Sequence, residues 1–247
     1  MVYSTEGVVL KNSSYAEADL IVTYFTKDYG LINLFAKSPL KIKSRFGSSL
    51  EPLTYSRISF IGKEESLQRI IQSDIINSFH KVRENYKLFL KVGETLRFLI
   101  QIIPKKEPNI EIFYLLLNTI KYLEEKTKPE NYLLFLKIKT LNILGYLPEF
   151  KNCGVCSQTL KGEFYYFDGF IICKSCYTTH QNSTLALTFP ISQGVVKLLN
   201  EISKWKINLL ERVNISNKLL NEVDKFLETH IFKILGYNKA IGLIPPK

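Results

Sequence analysis

The hydrophobic pattern changes character about a third of the way along the 247-residue chain. In the first 80 residues, apolar positions alternate with polar ones or form short β-branched and aromatic runs, as strands do. Five strands are predicted, at residues 6–11, 20–26, 31–36, 55–61 and 67–72. Turn residues separate them, for example Tyr29-Gly30 and Gly62-Lys63. Five short strands in about 75 residues predict a small closed barrel, and the OB-fold is the five-stranded barrel most often used to bind oligonucleotides.

From Ser78 onward, apolar residues recur at the spacing of amphipathic helices. Helices are predicted at residues 82–100, 112–123, 132–144, 192–205 and 216–235. Gly145 is placed to end the third helix in a left-handed conformation, and Gly236 to end the last. The predicted fold is therefore α+β with two domains: an OB-fold barrel at residues 1–80, and an all-α helical domain at residues 81–247. A metal module at about residues 150–180 is inserted into the second domain.

All four cysteines of the chain lie in that insertion, in two CxxC pairs separated by sixteen residues: Cys153, Cys156, Cys173 and Cys176. A hairpin predicted over residues 163–172, turning at Asp168-Gly169, carries the second pair toward the first. Four thiolates brought together in this way suit tetrahedral Zn²⁺. Because four protein ligands leave no open position for water, we predict a structural zinc ion without which the module unfolds.

Two disulfides or a redox-active dithiol are the competing interpretations of these cysteines. Disulfides are typical of exported proteins, but the segment Met1–Glu6 has neither a basic start nor a following apolar run. A redox dithiol is typically a single pair, whereas two pairs occur here at the spacing of metal ligands. The spacing therefore favours zinc.

The charge pattern points to a polyanionic partner, and the motif pattern points away from catalysis. The net charge of +10 is spread thinly along the chain, so a nucleic-acid surface must be assembled by folding. The three histidines, His80, His180 and His230, fit no metal-ligand or nucleophile motif. No glycine-rich phosphate loop is present, so we expect a protein that is not an enzyme. No apolar run reaches the roughly 18 residues of a membrane helix, and we expect a cytoplasmic protein with no membrane partner.

The densest basic segment is the loop that follows the third predicted strand. Its four cations occupy nine positions with no acidic residue among them: Lys37, Lys41, Lys43 and Arg45. Loops of an OB-fold line the groove that tracks a phosphate backbone, so these four residues are the predicted DNA-binding residues. Four nearby aromatic residues are candidate stacking platforms for bases: Tyr24, Phe25, Phe35 and Phe46. Strand alternation points Tyr24 and Phe25 to opposite faces, so at most one of that pair is available.

The order of these parts resembles the bacterial RecO family of recombination mediators. The motifs in the first half that carry the resemblance are Glu6-Gly7-Val8-Val9-Leu10, Glu17-Ala18-Asp19-Leu20-Ile21-Val22, Lys43-Ser44-Arg45-Phe46-Gly47 and Leu50-Glu51-Pro52. Those in the second half are Pro108-Asn109, Phe135, Lys137, Leu144-Gly145-Tyr146-Leu147-Pro148 and Gly169. Two positions depart from the family pattern: Ser157 and Asp168 stand where glycine is common. The resemblance covers essentially the full length.

The resemblance implies an N-terminal OB-fold, a helical body with a zinc module, and activity without bond making. It implies binding of single- and double-stranded DNA and annealing of complementary strands. It also implies work with RecR, and with RecF, to help RecA load onto DNA coated by single-strand-binding protein. An alternative from another class remains open: a zinc-ribbon and OB-fold protein adaptor that has no annealing activity. Annealing of complementary oligonucleotides without ATP distinguishes the two.

Overall fold

The structure is a computed structural model of the chain and describes residues 1–15, 17–40, 44–125, 129–180 and 188–236. Its contacts divide the chain into two compact units, Met1–Leu133 and Leu134–Lys247. Among the helices described, none combines the length and the apolar character that crossing a lipid bilayer requires.

The first unit begins with five strands: β1 (Val2–Ser14), β2 (Leu20–Thr26), β3 (Gly30–Ala36), β4 (Tyr55–Ile61) and β5 (Arg69–Asn77). They form a closed barrel in the order β1-β2-β3-β5-β4. All neighbours are antiparallel except β3 and β5, which pair in parallel and close the barrel. This order is that of the predicted OB-fold. Strand β1 extends beyond its predicted bounds at both ends. Strand β5 is displaced toward the C-terminus, because Gln72, Ser73 and Asp74 interrupt its apolar pattern before Ile75 and Ile76.

Strand alternation determines which residues fill the barrel. On β3, Leu34 and Ala36 point into the core, while Asn33 and Phe35 point outward. A 3₁₀ turn at Gly47–Leu50 follows the basic loop and contributes Leu50 to the same core. The core takes residues from β1, β2, β3, β4 and β5, so burial of apolar surface by every strand stabilises the closed form.

Three helices complete the first unit: α1 (His80–Glu84), α2 (Tyr86–Ile102) and α3 (Ile110–Glu125). The predicted helix at 82–100 is thus two helices, because Asn85 leaves the helical conformation and caps α2, accepting a hydrogen bond from the Leu88 N–H. On α3, Phe113 contacts Phe25 with ring centroids 5.9 Å apart. Phe25 points away from the barrel core but is buried under this helix.

Helix α4 (Pro129–Ile143) spans the division between the units, and the second unit continues with a small sheet and three helices. The elements are β6 (Phe164–Phe167), β7 (Phe170–Cys173), α5 (Lys174–His180), β8 (Thr188–Ile191), α6 (Gln193–Ile202) and α7 (Asn217–Leu235). Strands β6 and β7 form the predicted hairpin, and β8 adds a third strand in the order β7-β6-β8. Gly145 has a φ of +72° just after α4, as its predicted role requires. The Ser216 hydroxyl caps α7 by accepting from the Leu219 N–H.

The contacts group α1, α2 and α3 with the barrel. The predicted boundary at residue 80 comes just after the last barrel strand, which ends at Asn77. The assignment of residues 1–80 and 81–247 to separate domains stays a prediction.

Candidate metal centre and nucleic-acid face

The first cysteine pair lies on a tight turn held by backbone hydrogen bonds. The Cys153 N–H donates to the Gln158 carbonyl at 2.8 Å, and the Ser157 N–H donates back to the Cys153 carbonyl at 2.9 Å. Asn152 and Thr159 form a β-bridge at the open end of this turn. To close the turn, Ser157 adopts a φ of +58°, a conformation that favours glycine.

The second pair lies where β7 gives way to α5. Cys173 is the last residue of β7, and Cys176 lies in the first turn of the helix. The Gly154 N–H donates to the Ile171 carbonyl at 2.9 Å and thereby joins the first turn to β7. A Cβ on Gly154 would lie 2.7 Å from the Phe170 Cβ, so only glycine permits this approach.

These two local structures bring all four cysteine sulfurs together, within 4.8 Å of one another. The Sγ atoms of Cys156 and Cys173 are 3.9 Å apart. Zinc–sulfur bonds of about 2.3 Å in a tetrahedron place sulfur atoms about 3.8 Å apart, so the cluster has the size of a four-thiolate metal site. Together, the four cysteines are a possible site for one metal ion.

The electrostatics of the cluster fit a bound cation. The Ser175 hydroxyl, with backbone N–H groups, lowers the pKa of Cys173 to about 6. Burial opposes ionisation of Cys153, but the N–H groups of Cys156 and its neighbours outweigh it and lower the pKa. The pKa of Cys176 is raised to about 12, by burial and by the surrounding sulfurs. Thiolates crowded in this way repel one another, and a divalent cation removes that repulsion.

The sheet that carries the second pair packs against α7. Tyr166 is fully buried and contacts Phe226 edge to face, with ring centroids 5.7 Å apart. Its hydroxyl lies 3.2 Å from Nδ1 of His230, and Nε2 of His230 lies 2.6 Å from the Tyr146 carbonyl. Because a carbonyl only accepts, Nε2 carries the proton and Nδ1 accepts from Tyr166. Burial lowers the pKa of His230 and keeps its ring neutral. His230 is thus held in a packed core.

Two of the four predicted DNA-binding cations lie within the described residues, and both are exposed: Lys37 and Arg45. Lys41 and Lys43 lie outside the described residues. The Arg45 guanidinium lies 4.9 Å from the centroid of the Phe46 ring. Phe46 itself belongs to the barrel core.

Three of the four candidate stacking residues are buried: Tyr24, Phe25 and Phe46. Tyr24 and Phe25 do point to opposite faces, but the first fills the barrel and the second packs under α3, so neither is available to a base. Phe35 alone of the four is partly exposed.

Phe35 is the centre of a small aromatic and basic surface on the outside of the barrel. Tyr15, which is 63% exposed, contacts Phe35 edge to face with ring centroids 5.8 Å apart. Arg69 is the register partner of Phe35 where β3 and β5 pair, and it is exposed. Lys37 comes two residues after Phe35, just beyond the end of β3, and it is exposed. We call Tyr15, Phe35, Lys37 and Arg69 the aromatic–basic face.

Tyr15 and Arg69 were not predicted from the sequence as members of this face. Tyr15 begins the loop between β1 and β2, and its N–H donates to the Asp19 carbonyl at 3.0 Å. Arg69 is 34 positions from Phe35, and only the parallel closure of the barrel brings them together. No local sequence pattern indicates either residue, because both meet Phe35 only through tertiary contacts.

Two family models match the chain. Residues 1–79 match the model described as "Recombination protein O N terminal", and residues 95–236 match "Recombination protein O C terminal". The first match covers the barrel strands, and the second covers the cysteine cluster and α7.

Individual relatives agree with these matches. The "DNA repair protein RecO" of Thermodesulfovibrio yellowstonii is 70% identical over 97% of this chain and 96% of its own length. The protein of the same name from Syntrophus aciditrophicus is 30% identical over 95% of this chain and 91% of its own length. That of Dehalococcoides mccartyi strain CBDB1 is 29% identical over 94% of this chain and 90% of its own length. The chain therefore belongs to the RecO family of DNA repair proteins.

Proposed function

We propose that this protein is a DNA-binding recombination mediator that works without making or breaking covalent bonds. It binds single- and double-stranded DNA and anneals complementary strands. With RecR and RecF, it helps RecA load onto strands coated by single-strand-binding protein, in the cytoplasm at the nucleoid. The observation that carries this proposal is a closed OB-type barrel with exposed Lys37, Arg45 and Arg69, in a chain of a DNA repair family.

The barrel suits this role because nucleic-acid binding needs exposed cations on a rigid support. Lysine and arginine side chains neutralise phosphates and release counterions, which supplies affinity without a reaction centre. The basic loop follows β3 directly, and the Ser38 N–H donates to Asp19 Oδ1 at 2.7 Å, which ties the start of the loop to the neighbouring loop. Lys37, Lys41, Lys43 and Arg45 are proposed to contact the phosphate backbone.

We infer that the metal held by the four cysteines is Zn²⁺ and that it is structural. Four sulfur ligands are one of the usual donor sets of structural zinc sites, and they leave no position for a substrate. The ion would hold the turn at Cys153 and Cys156 against the β7–α5 junction. Absorption spectroscopy of the cobalt-substituted protein tests this assignment. Four-sulfur tetrahedral bands are expected, and a spectrum with a water or nitrogen ligand would contradict it.

The deciding experiment for the function is strand annealing without ATP. Complementary oligonucleotides are mixed with the protein, first bare and then coated with single-strand-binding protein, and pairing is followed by fluorescence energy transfer. A mediator accelerates pairing in both cases. If the protein leaves the pairing rate unchanged, the adaptor alternative replaces the mediator proposal.

A further inference from the structure

The aromatic–basic face combines two kinds of DNA contact that depend differently on strand pairing. Lys37 and Arg69 offer charge, which attracts any phosphate backbone, paired or unpaired. Tyr15 and Phe35 offer ring faces, which stack on bases only where those bases are not already stacked inside a duplex. The two contributions can therefore be separated by comparing single strands with duplexes.

The structure holds the aromatic pair in a defined position on the barrel. Phe35 lies between its register partners Ile21 on β2 and Arg69 on β5, so neighbouring strands support its ring on both sides. Beside it, the Thr23 hydroxyl donates to Asn33 Oδ1 at 2.9 Å, a cross-strand bond on the same outer face. Tyr15 meets Phe35 at an interplanar angle of 79°. A ring held before binding loses little conformational entropy when a base stacks on it.

The exposure of Tyr15 and Phe35 also argues against a purely structural role for these two rings. Phe35 faces away from the barrel core, and Tyr15 is mostly exposed, so neither ring is needed to fill the barrel. The described aromatic residues of the first unit that do fill it, such as Tyr24 and Phe60, are fully buried. Exposed rings beside cations are the arrangement that single-strand-binding surfaces use.

We propose that Tyr15 and Phe35 form a base-stacking platform that makes the barrel prefer single-stranded over double-stranded DNA. The inference rests on the proposed function, because it specifies which strands the DNA-binding barrel selects. The cations of the face set the overall affinity, and the two rings set the preference for unpaired bases.

The test compares binding of a thymidine oligonucleotide and of a blunt hairpin duplex, by fluorescence anisotropy. The variants are Tyr15→Leu, Phe35→Leu and the two combined, since leucine keeps an apolar side chain at each position but removes the ring. Tyr86→Leu is the matched control, because Tyr86 is 72% exposed on α2, outside the face. We expect the double variant to weaken single-strand binding by about 5-fold or more and duplex binding by less than about 2-fold. Tyr86→Leu should change neither.

A second measurement reports stacking directly. An oligonucleotide carrying one iododeoxyuridine is irradiated in complex with the wild-type protein, and the adduct is located by peptide mass spectrometry. Adducts on Tyr15 or Phe35 are expected, because this photochemistry favours stacked rings. Adducts confined to other peptides, or equal losses of single-strand and duplex binding in the double variant, would overturn the inference. If the wild-type protein bound neither DNA form, the proposed function itself would fail.

Discussion

At the scale of single residues, two departures from the family pattern mark backbone positions that favour glycine. Ser157 and Asp168 have φ angles of +58° and +49°. Asp168 begins the turn between β6 and β7, and its Oδ1 lies 2.5 Å from Lys233 Nζ. Aspartate tolerates the left-handed region better than most residues, because its short polar side chain bonds locally. No side-chain partner of this kind is described for Ser157. Replacing Ser157 would therefore relieve backbone strain without breaking a side-chain contact.

Replacement of Ser157 by glycine is therefore expected to stabilise the protein. Glycine adopts positive φ without steric conflict, and the gain should be up to about 1 kcal/mol in the free energy of unfolding. Urea unfolding of the metal-loaded protein measures it. Ser203→Gly is the control, since Ser203 has a φ of −57° and glycine there should give no gain. A Ser157→Gly variant less stable than wild type would contradict the prediction.

His230 predicts how stability depends on pH. Its pKa is lowered by burial in the folded protein, so below the unfolded pKa of about 6.5 the unfolded chain binds a proton that the folded chain does not. Stability should therefore be full above about pH 6.5 and fall as pH decreases, by at most about 1.4 kcal/mol per pH unit from this group.

The measurement is urea unfolding across this pH range for wild type and His230→Gln. Glutamine does not titrate, so the variant should lose less stability on acidification than wild type does. Protonation of the cysteine cluster affects both proteins equally and cancels in the comparison. His80→Gln, at an exposed position, should keep the wild-type slope. Parallel slopes for wild type and His230→Gln would refute the assignment.

At the scale of elements, Arg83 joins α1 to the segment that precedes β4. Its guanidinium donates to the Ser78 carbonyl at 2.7 Å, to Glu51 Oε2 at 2.9 Å and to Thr54 Oγ1 at 2.6 Å. Its side chain is only 20% exposed, and its bonds to Ser78 and Thr54 are partly buried, whereas its bond to Glu51 is exposed. Lysine cannot reproduce such a divergent set of donors.

We expect Arg83→Lys to destabilise the first unit by about 1.5–3 kcal/mol, the range for hydrogen bonds to a charged group. Arg57→Lys is the matched control. Arg57 pairs with Glu6 at 3.1 Å, but its side chain is 65% exposed, and such surface pairs contribute at most about 1 kcal/mol. Thermal unfolding measures the loss of stability in each variant. Equal losses would show that the Arg83 contacts contribute no more than a surface pair.

The cysteine cluster predicts which elements depend on metal. The β6–β7 hairpin has four residues in each strand, too few to fold by burial alone. Chelation should therefore increase hydrogen exchange at the amides of β6, β7 and α5 while leaving β1 to β5 protected. Mass spectrometry of peptides from the two regions measures the hydrogen exchange of each. Unchanged protection in β6 and β7 after verified metal removal would show that packing on α7 suffices.

At the scale of the whole molecule, the basic loop predicts the salt dependence of DNA binding. If Lys37, Lys41, Lys43 and Arg45 each neutralise one phosphate of a single strand, log affinity should fall against log salt with a slope of about −3. Alanine at all four positions should make the slope markedly shallower. The control replaces four exposed lysines of the second unit and removes the same charge: Lys197, Lys204, Lys206 and Lys218. A slope unaffected by the loop variant would remove the loop from the DNA site.

Local patterns predicted the elements because each is encoded by neighbouring residues. The five strands, the β6–β7 hairpin and the ends of α4 and α7 all follow from alternation, helical spacing and glycine position. Strand β8 was missed, because four residues that include Pro190 carry too little pattern. The break at Asn85 was missed because the apolar repeat continues across it.

The sequence by itself determined the cysteine cluster and the family, because four ligands in two CxxC pairs and the order of the short motifs are properties of the chain alone. The tertiary structure decided which aromatic residues a base can reach. Phe25 is buried because α3 covers it, and Arg69 lies beside Phe35 because the barrel closes through a parallel pair. Alternation assigns a residue to a face, but whether that face meets solvent depends on elements far away in the chain.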